Sequence, residues 1–109
     1  MQIPKDAVLL RVFIGENERF DSKPLYESIV MKAREVGIAG ATVLRGPLGF
    51  GKSSQLHSAK ILRLSEDLAM IIEIVDSLEK IEAFLPVLDE LIKDGLVTVE
   101  KVRVIHYRA

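Results

Sequence analysis

Near the middle of the chain, Gly46-Pro47-Leu48-Gly49-Phe50-Gly51-Lys52-Ser53 satisfies the phosphate-loop pattern G-x-x-x-x-G-K-[ST]. Such a loop works through three kinds of group: backbone N–H donors that cradle phosphate oxygens, a lysine that neutralises the outer phosphates, and a hydroxyl that ligates Mg²⁺. Lys52 and Ser53 fit the last two roles. Arg45, one residue upstream, adds a guanidinium suited to an anion. The wider stretch 37–54 holds five of the chain's seven glycines. Read alone, 46–53 points to a nucleotide hydrolase. The alternative is a regulator that uses the same glycines and lysine as a mobile ligand-binding loop.

The surrounding elements decide between these readings. Val8, Leu10, Val12 and Ile14 alternate with Ala7, Leu9, Arg11 and Phe13, which predicts a strand over 7–14 with two largely apolar faces. A charged loop follows, with Glu16, Glu18 and Asp21. Ser22 and Pro24 then open a helix over 24–36, striped by Leu25, Ile29, Ala33 and Val36 and ended by Gly37. Residues 41–45 predict a second strand, 60–64 alternate like a strand, 65–67 suggest a turn, and 68–75 predict a buried strand. Asp76 with Glu79 resembles a capping box for a second helix striped by Leu78, Ile81, Leu85, Leu88 and Ile92 and closed by Gly95. Pro86 predicts a kink or a break in it. The last strand spans 96–105, where an apolar face that switches between Val99 and Val102 predicts a bulge or two short strands.

The order β-α-β-β-α-β predicts an α+β, ferredoxin-like domain, an antiparallel sheet with both helices on one face. A phosphate-loop enzyme instead needs a parallel sheet of several βα units. The 56 residues after Ser53 hold at most about two such units. Ser53, Ser54, His57 and Ser58 are indifferent helix formers where the loop should enter a helix. With two helices on one side, the other side of the sheet is left bare, and oligomerisation through it is expected.

Composition narrows the classes further. A length of 109 residues with 49% hydrophobic and 28% charged residues describes one globular domain. The net charge of -1 gives no overall field for nucleic acid or an anionic membrane. Absence of cysteine excludes disulfides and thiolate metal sites. No apolar run approaches the roughly 20 residues that span a bilayer, and the N-terminus lacks a signal peptide's apolar segment. A cytoplasmic protein without direct membrane insertion is expected.

Gly40-Ala41-Thr42-Val43 followed by Gly49-Phe50-Gly51 resembles the nitrogen-regulatory PII signalling proteins, with their G-x-T-V and G-F-G at the base of a long T-loop. Pro24-Leu25-Tyr26, the run 37–51 and Ile72-Glu73-Ile74-Val75-Asp76 are more similar still to the PII-related family called domain of unknown function 190, over about residues 7–104. The resemblance implies a homotrimer with sheets facing the threefold axis, nucleotide in clefts between subunits, and a mobile loop that reports ligand state to a partner such as a membrane transporter. It implies regulation, with no catalysis. Carried over, Thr42 sits in the cleft near the loop base, Gly49 and Gly51 let backbone approach phosphates, and Lys52 supplies charge to a ligand such as an adenine nucleotide. Arg45 joins this set on chemical grounds. Five residues separate Val43 from Gly49 against four in PII, and the second phosphate-binding segment is reduced to Lys93-Asp94-Gly95-Leu96. A structural oligomer with no small ligand is the remaining alternative.

Overall fold

The alternating apolar residues after Lys5 form the strand β1 (Asp6–Gly15) in the computed structural model, which describes residues 3–46, 48–50, 56–58 and 68–108. β1 ends in a tight hairpin of β2 (Arg19–Phe20) and β3 (Lys23–Pro24), turned by Asp21 and Ser22 at positive φ. Pro24 then sits at the N-cap of α1 (Leu25–Glu35). After α1 come β4 (Thr42–Arg45), the paired short strands β5 (Leu48–Phe50) and β6 (Leu56–Ser58), and β7 (Ala69–Asp76). The helix α2 (Leu78–Leu91) and the strand β8 (Leu96–Arg103) complete the order.

β4, β7, β1 and β8 make one sheet in that spatial order, with each neighbouring pair antiparallel. The ferredoxin-like α+β expectation holds. One face of β1 and β7, carrying Leu10, Val12, Ile72 and Ile74, is buried beneath Leu25, Ile29 and Ala33 of α1 and Ile81, Phe84 and Leu88 of α2. The stripe of α2 is turned from the expected one: Phe84 and Leu91 are buried, whereas Leu78 is exposed and Leu85 half-buried.

Helix α1 closes as the sequence implies. Gly37 lies at φ 82°, its N–H donates to the Arg34 carbonyl, and the Ile38 N–H reaches back to Ala33, which together form a Schellman motif. Val36, expected in the apolar stripe, is the C-cap residue and half exposed.

Four other expectations are corrected. The break allowed for at Pro86 does not occur: α2 is one helix through it, because Pro86 and Glu82 lie on the exposed side, where water can satisfy the carbonyl that loses its donor. Its N-cap is Ser77, whose side chain accepts from the Lys80 N–H at 3.2 Å, not Asp76. β8 pairs with β1 in unbroken register from Asp6 opposite Arg103 to Phe13 opposite Leu96, so it has no bulge. An edge strand exposed along nearly its whole length has no buried face to force an alternation. Gly95 does not cap α2, which ends at the C-cap Ile92; a Cβ on Gly95 would stand 2.8 Å from the Phe13 carbonyl oxygen, so the close pass of the chain against β1 demands glycine. The strand and turn expected over 60–67 lie outside the described residues.

Candidate functional site

The glycine loop leaves the sheet from β4 and returns into β7, its spatial neighbour, so its two stems stand side by side. The Gly46 N–H donates to the Ala69 carbonyl at 2.8 Å, and the Glu16 N–H donates to the Leu68 carbonyl at 2.8 Å. Arg45 forms an ion pair with Glu16. The end of β4, the start of β7 and the turn after β1 are thereby joined at the loop base.

Thr42 and Arg45 are three residues apart on a strand, so they stand on opposite faces. Thr42 lies opposite Glu73 on the face away from the helices, whereas Arg45 lies opposite Met70 on the helix side. They flank the free edge of β4 without meeting. The backbone of Gly49 pairs with His57 in the β5–β6 ladder. Gly51 and Lys52 lie outside the described residues.

Phosphate-loop geometry is absent from what is described. The strand entering the pattern is an antiparallel edge strand, and Leu56–Ser58 is a strand where the loop should run into a helix. Gly46 spends its N–H within the sheet, and a Cβ there would make only ordinary contact with Ala69 at 3.5 Å. The glycine is not needed there for close approach.

The other end of β7 carries a second polar junction. Asp76, 1% exposed, accepts from the Ala39 N–H at 2.9 Å and from the Ser77 N–H at 2.7 Å. Lys80 Nζ donates to the Gly37 carbonyl at 3.0 Å. These bonds fasten the segment that delivers β4 to the start of α2, and so set where Thr42 and Arg45 begin. Glu16 and Asp76 acquire these roles through sheet order, which places the turn after β1 and the end of β7 beside residues distant in sequence. In the sequence Glu16 stands in a charged loop and Asp76 resembles a capping acid that closes an apolar run, and neither pattern names these partners.

Two hollows open on the helix side, the first beside the Asp76 junction. One of about 280 Å³ lies between Val30 and Arg34 of α1 and residues 38–41. The other, about 360 Å³, lies between α2 and β8 beside Lys93 and Gly95, the shortened second segment.

Solved structures share this architecture. CPII, a nitrogen regulatory PII-like protein from Thiomonas intermedia K12 whose structure was solved bound to ADP, AMP and bicarbonate, superposes with a TM-score of 0.62 over 91% of this chain and 88% of that one, at 16% identity. CPII bound to ADP and bicarbonate gives a TM-score of 0.59 over the same shares, at 17% identity. The fold is therefore that of the PII-like proteins. In sequence, the chain is 42% identical over 101 residues to a UPF0166 protein of Aquifex aeolicus, covering 90% of this chain and 92% of that protein. It is 37% identical to the UPF0166 protein MJ1524 of Methanocaldococcus jannaschii, covering 85% and 86%. The family model DUF190, described as "Uncharacterized ACR, COG1993", matches residues 7–104. The chain belongs to the DUF190 family.

Proposed function

We propose that this protein is a ligand-sensing regulator of the PII-like kind, which holds a small anion or adenine nucleotide at the base of the glycine loop and reports its presence to a partner protein. The observation that carries this reading is the joined loop base. The glycine-bearing segment that starts at Gly46 and ends at Leu68 stands on two stems bonded to each other, with the Arg45 guanidinium paired to Glu16 of the β1 turn. A ligand lying along the free edge of β4 reaches Thr42 from one face and Arg45 from the other. Gly49, Gly51 and Lys52 supply backbone donors and charge from the loop. Glu16 is the internal anion with which such a ligand competes for Arg45.

Self-association belongs to the same reading. The chain assembles as a homotrimer through the sheet face that the helices leave open, and the loop of each copy is presented at the rim. The regulated partner is a cytoplasmic enzyme or the cytoplasmic side of a transporter, and no bond of the ligand is broken. Adenine nucleotides and bicarbonate are the first ligands to test, because CPII holds them on the same fold.

A thermal-shift screen of ATP, ADP, AMP and bicarbonate tests the ligand. The expected result is a raised Tm with at least one, reduced in Arg45→Ala and Lys52→Ala. Absence of any shift removes the reading's main support. Mg²⁺-dependent nucleotide hydrolysis abolished by Lys52→Ala would replace it with the hydrolase.

A further inference from the structure

β4 is an edge strand of four residues, of which Val43 is partly buried and Thr42, Leu44 and Arg45 are exposed. Apolar packing therefore specifies its register weakly, because a slip of two residues keeps every side chain on its own face and costs one core contact. Such a slip against β7 carries Thr42 and Arg45 about 7 Å along the sheet. The observed register, from Thr42 opposite Glu73 to Arg45 opposite Met70, needs a further source.

Both ends of this ladder are tied, by different means. At the loop end Gly46 continues the register opposite Ala69 through its backbone bond of 2.8 Å. A strand slipped by two residues can remake such a bond with another carbonyl. The Arg45–Glu16 pair is partly exposed and made by a long side chain, so it follows a moving strand. At the far end Ala39 lies three residues before Thr42 and Asp76 three after Glu73, so the same register brings them together. Here a side chain closes the ladder. Asp76 Oδ2 accepts from the Ala39 N–H at 2.9 Å, while Oδ1 accepts from the Ser77 N–H at 2.7 Å. The carboxylate is 1% exposed, so a slip in either direction leaves it buried and short of a donor. Little slack remains upstream: the Ile38 N–H is bonded to Ala33, and Lys80 Nζ holds the Gly37 carbonyl at 3.0 Å.

We infer that Asp76 is a positioning residue of the loop base: its carboxylate locks β4 in one register against β7 and so sets where Thr42 and Arg45 stand for a ligand. Asp76 lies at the opposite end of β4 from Arg45 and acts through the strand. The consequence for a ligand rests on the function proposed above. The register lock stands without it.

Two readouts on the full chain test this: cross-strand Hα–Hα nuclear Overhauser contacts, which report register, and calorimetric titration with ADP, AMP and bicarbonate. Wild type should show Val43 against Ile72. In Asp76→Ala that contact should fall by half or more, with new contacts from Val43 to Met70 or Ile74, the partners of a two-residue slip. Any of the three ligands that binds wild type should bind this variant at least tenfold more weakly. Asp76→Asn keeps one acceptor oxygen and should fall between. Leu91→Ala, a buried site at the other end of α2, controls for lost stability and should keep the single register and bind within twofold of wild type. An Asp76→Ala chain that retains the single Val43–Ile72 contact, or that binds as wild type does, overturns the inference. Equal weakening in Leu91→Ala overturns it too, since general loosening then accounts for the loss. A wild type that binds none of the three removes the proposed function, and the Overhauser contacts still decide the register. If Asp76→Ala fails to fold by circular dichroism, Asp76→Asn carries both measurements.

Discussion

The two faces of the four-stranded sheet are built from the same strands and meet opposite fates. On the helix side Leu10, Val12, Ile72 and Ile74 are at most 1% exposed. On the other side their chain neighbours Leu9, Arg11, Phe13, Ile71, Glu73 and Val75 are all half-buried. Both faces are mainly apolar; the helix side holds a buried charge, Asp76, at the end of β7, whereas the second carries a paired row of charge in its centre. The helix side is a core closed by its own chain. Its opposite is the face through which self-association is proposed above.

Substitutions can break or sharpen this comparison. Ile72→Ala empties a fully buried site and should cost about 2–5 kcal/mol in urea unfolding. Ile71→Ala, its neighbour on the other face, should cost about 1 kcal/mol or less at dilutions where the chain is monomeric. Equal losses would mean that the open face is already packed within one copy. Asp76→Ala leaves the Ala39 and Ser77 N–H groups unpaired and should cost about 1–3 kcal/mol by the same measurement, with Asp76→Asn losing less. Gly95→Ala forces a Cβ to 2.8 Å from the Phe13 carbonyl and should shift β8 against β1, at a cost of about 1–3 kcal/mol. Amide exchange should then rise first along Leu96–Arg103. Glu16→Gln is the smallest in stability, within about 0.5 kcal/mol, because its pair with Arg45 is partly exposed. It should nonetheless tighten binding of an anionic ligand severalfold in a titration, since the competitor for Arg45 is gone.

The parts legible in the sequence are those set by local chemistry. Alternation along β1, the three- and four-residue spacing of Leu25, Ile29 and Ala33, and the left-handed demand at Gly37 are all properties of a few consecutive residues, and the structure repeats them. Misread features depend on what lies across the sheet. Pro86 is tolerated because of the side of α2 it occupies, the β8 register is continuous because an edge strand is free of alternation, and Gly95 is needed because β1 passes close by. The loop base shows the same division. Arg45 stood out for its charge beside the glycines, but its pairing with Glu16 exists only because β1 and β4 lie on either side of β7. The resemblance brings Thr42 to the site and chemistry adds Arg45, whereas strand geometry puts them on opposite faces of the β4 edge.

Calorimetric titration of the wild-type chain, Arg45→Ala and Lys52→Ala with ADP, AMP and bicarbonate bears most directly on the regulator. At least one of these ligands should bind wild type in a saturable way, with Kd at least tenfold weaker in both variants. Saturable binding that neither substitution alters would move the site away from the glycine loop, and no binding of any of the three would contradict the reading.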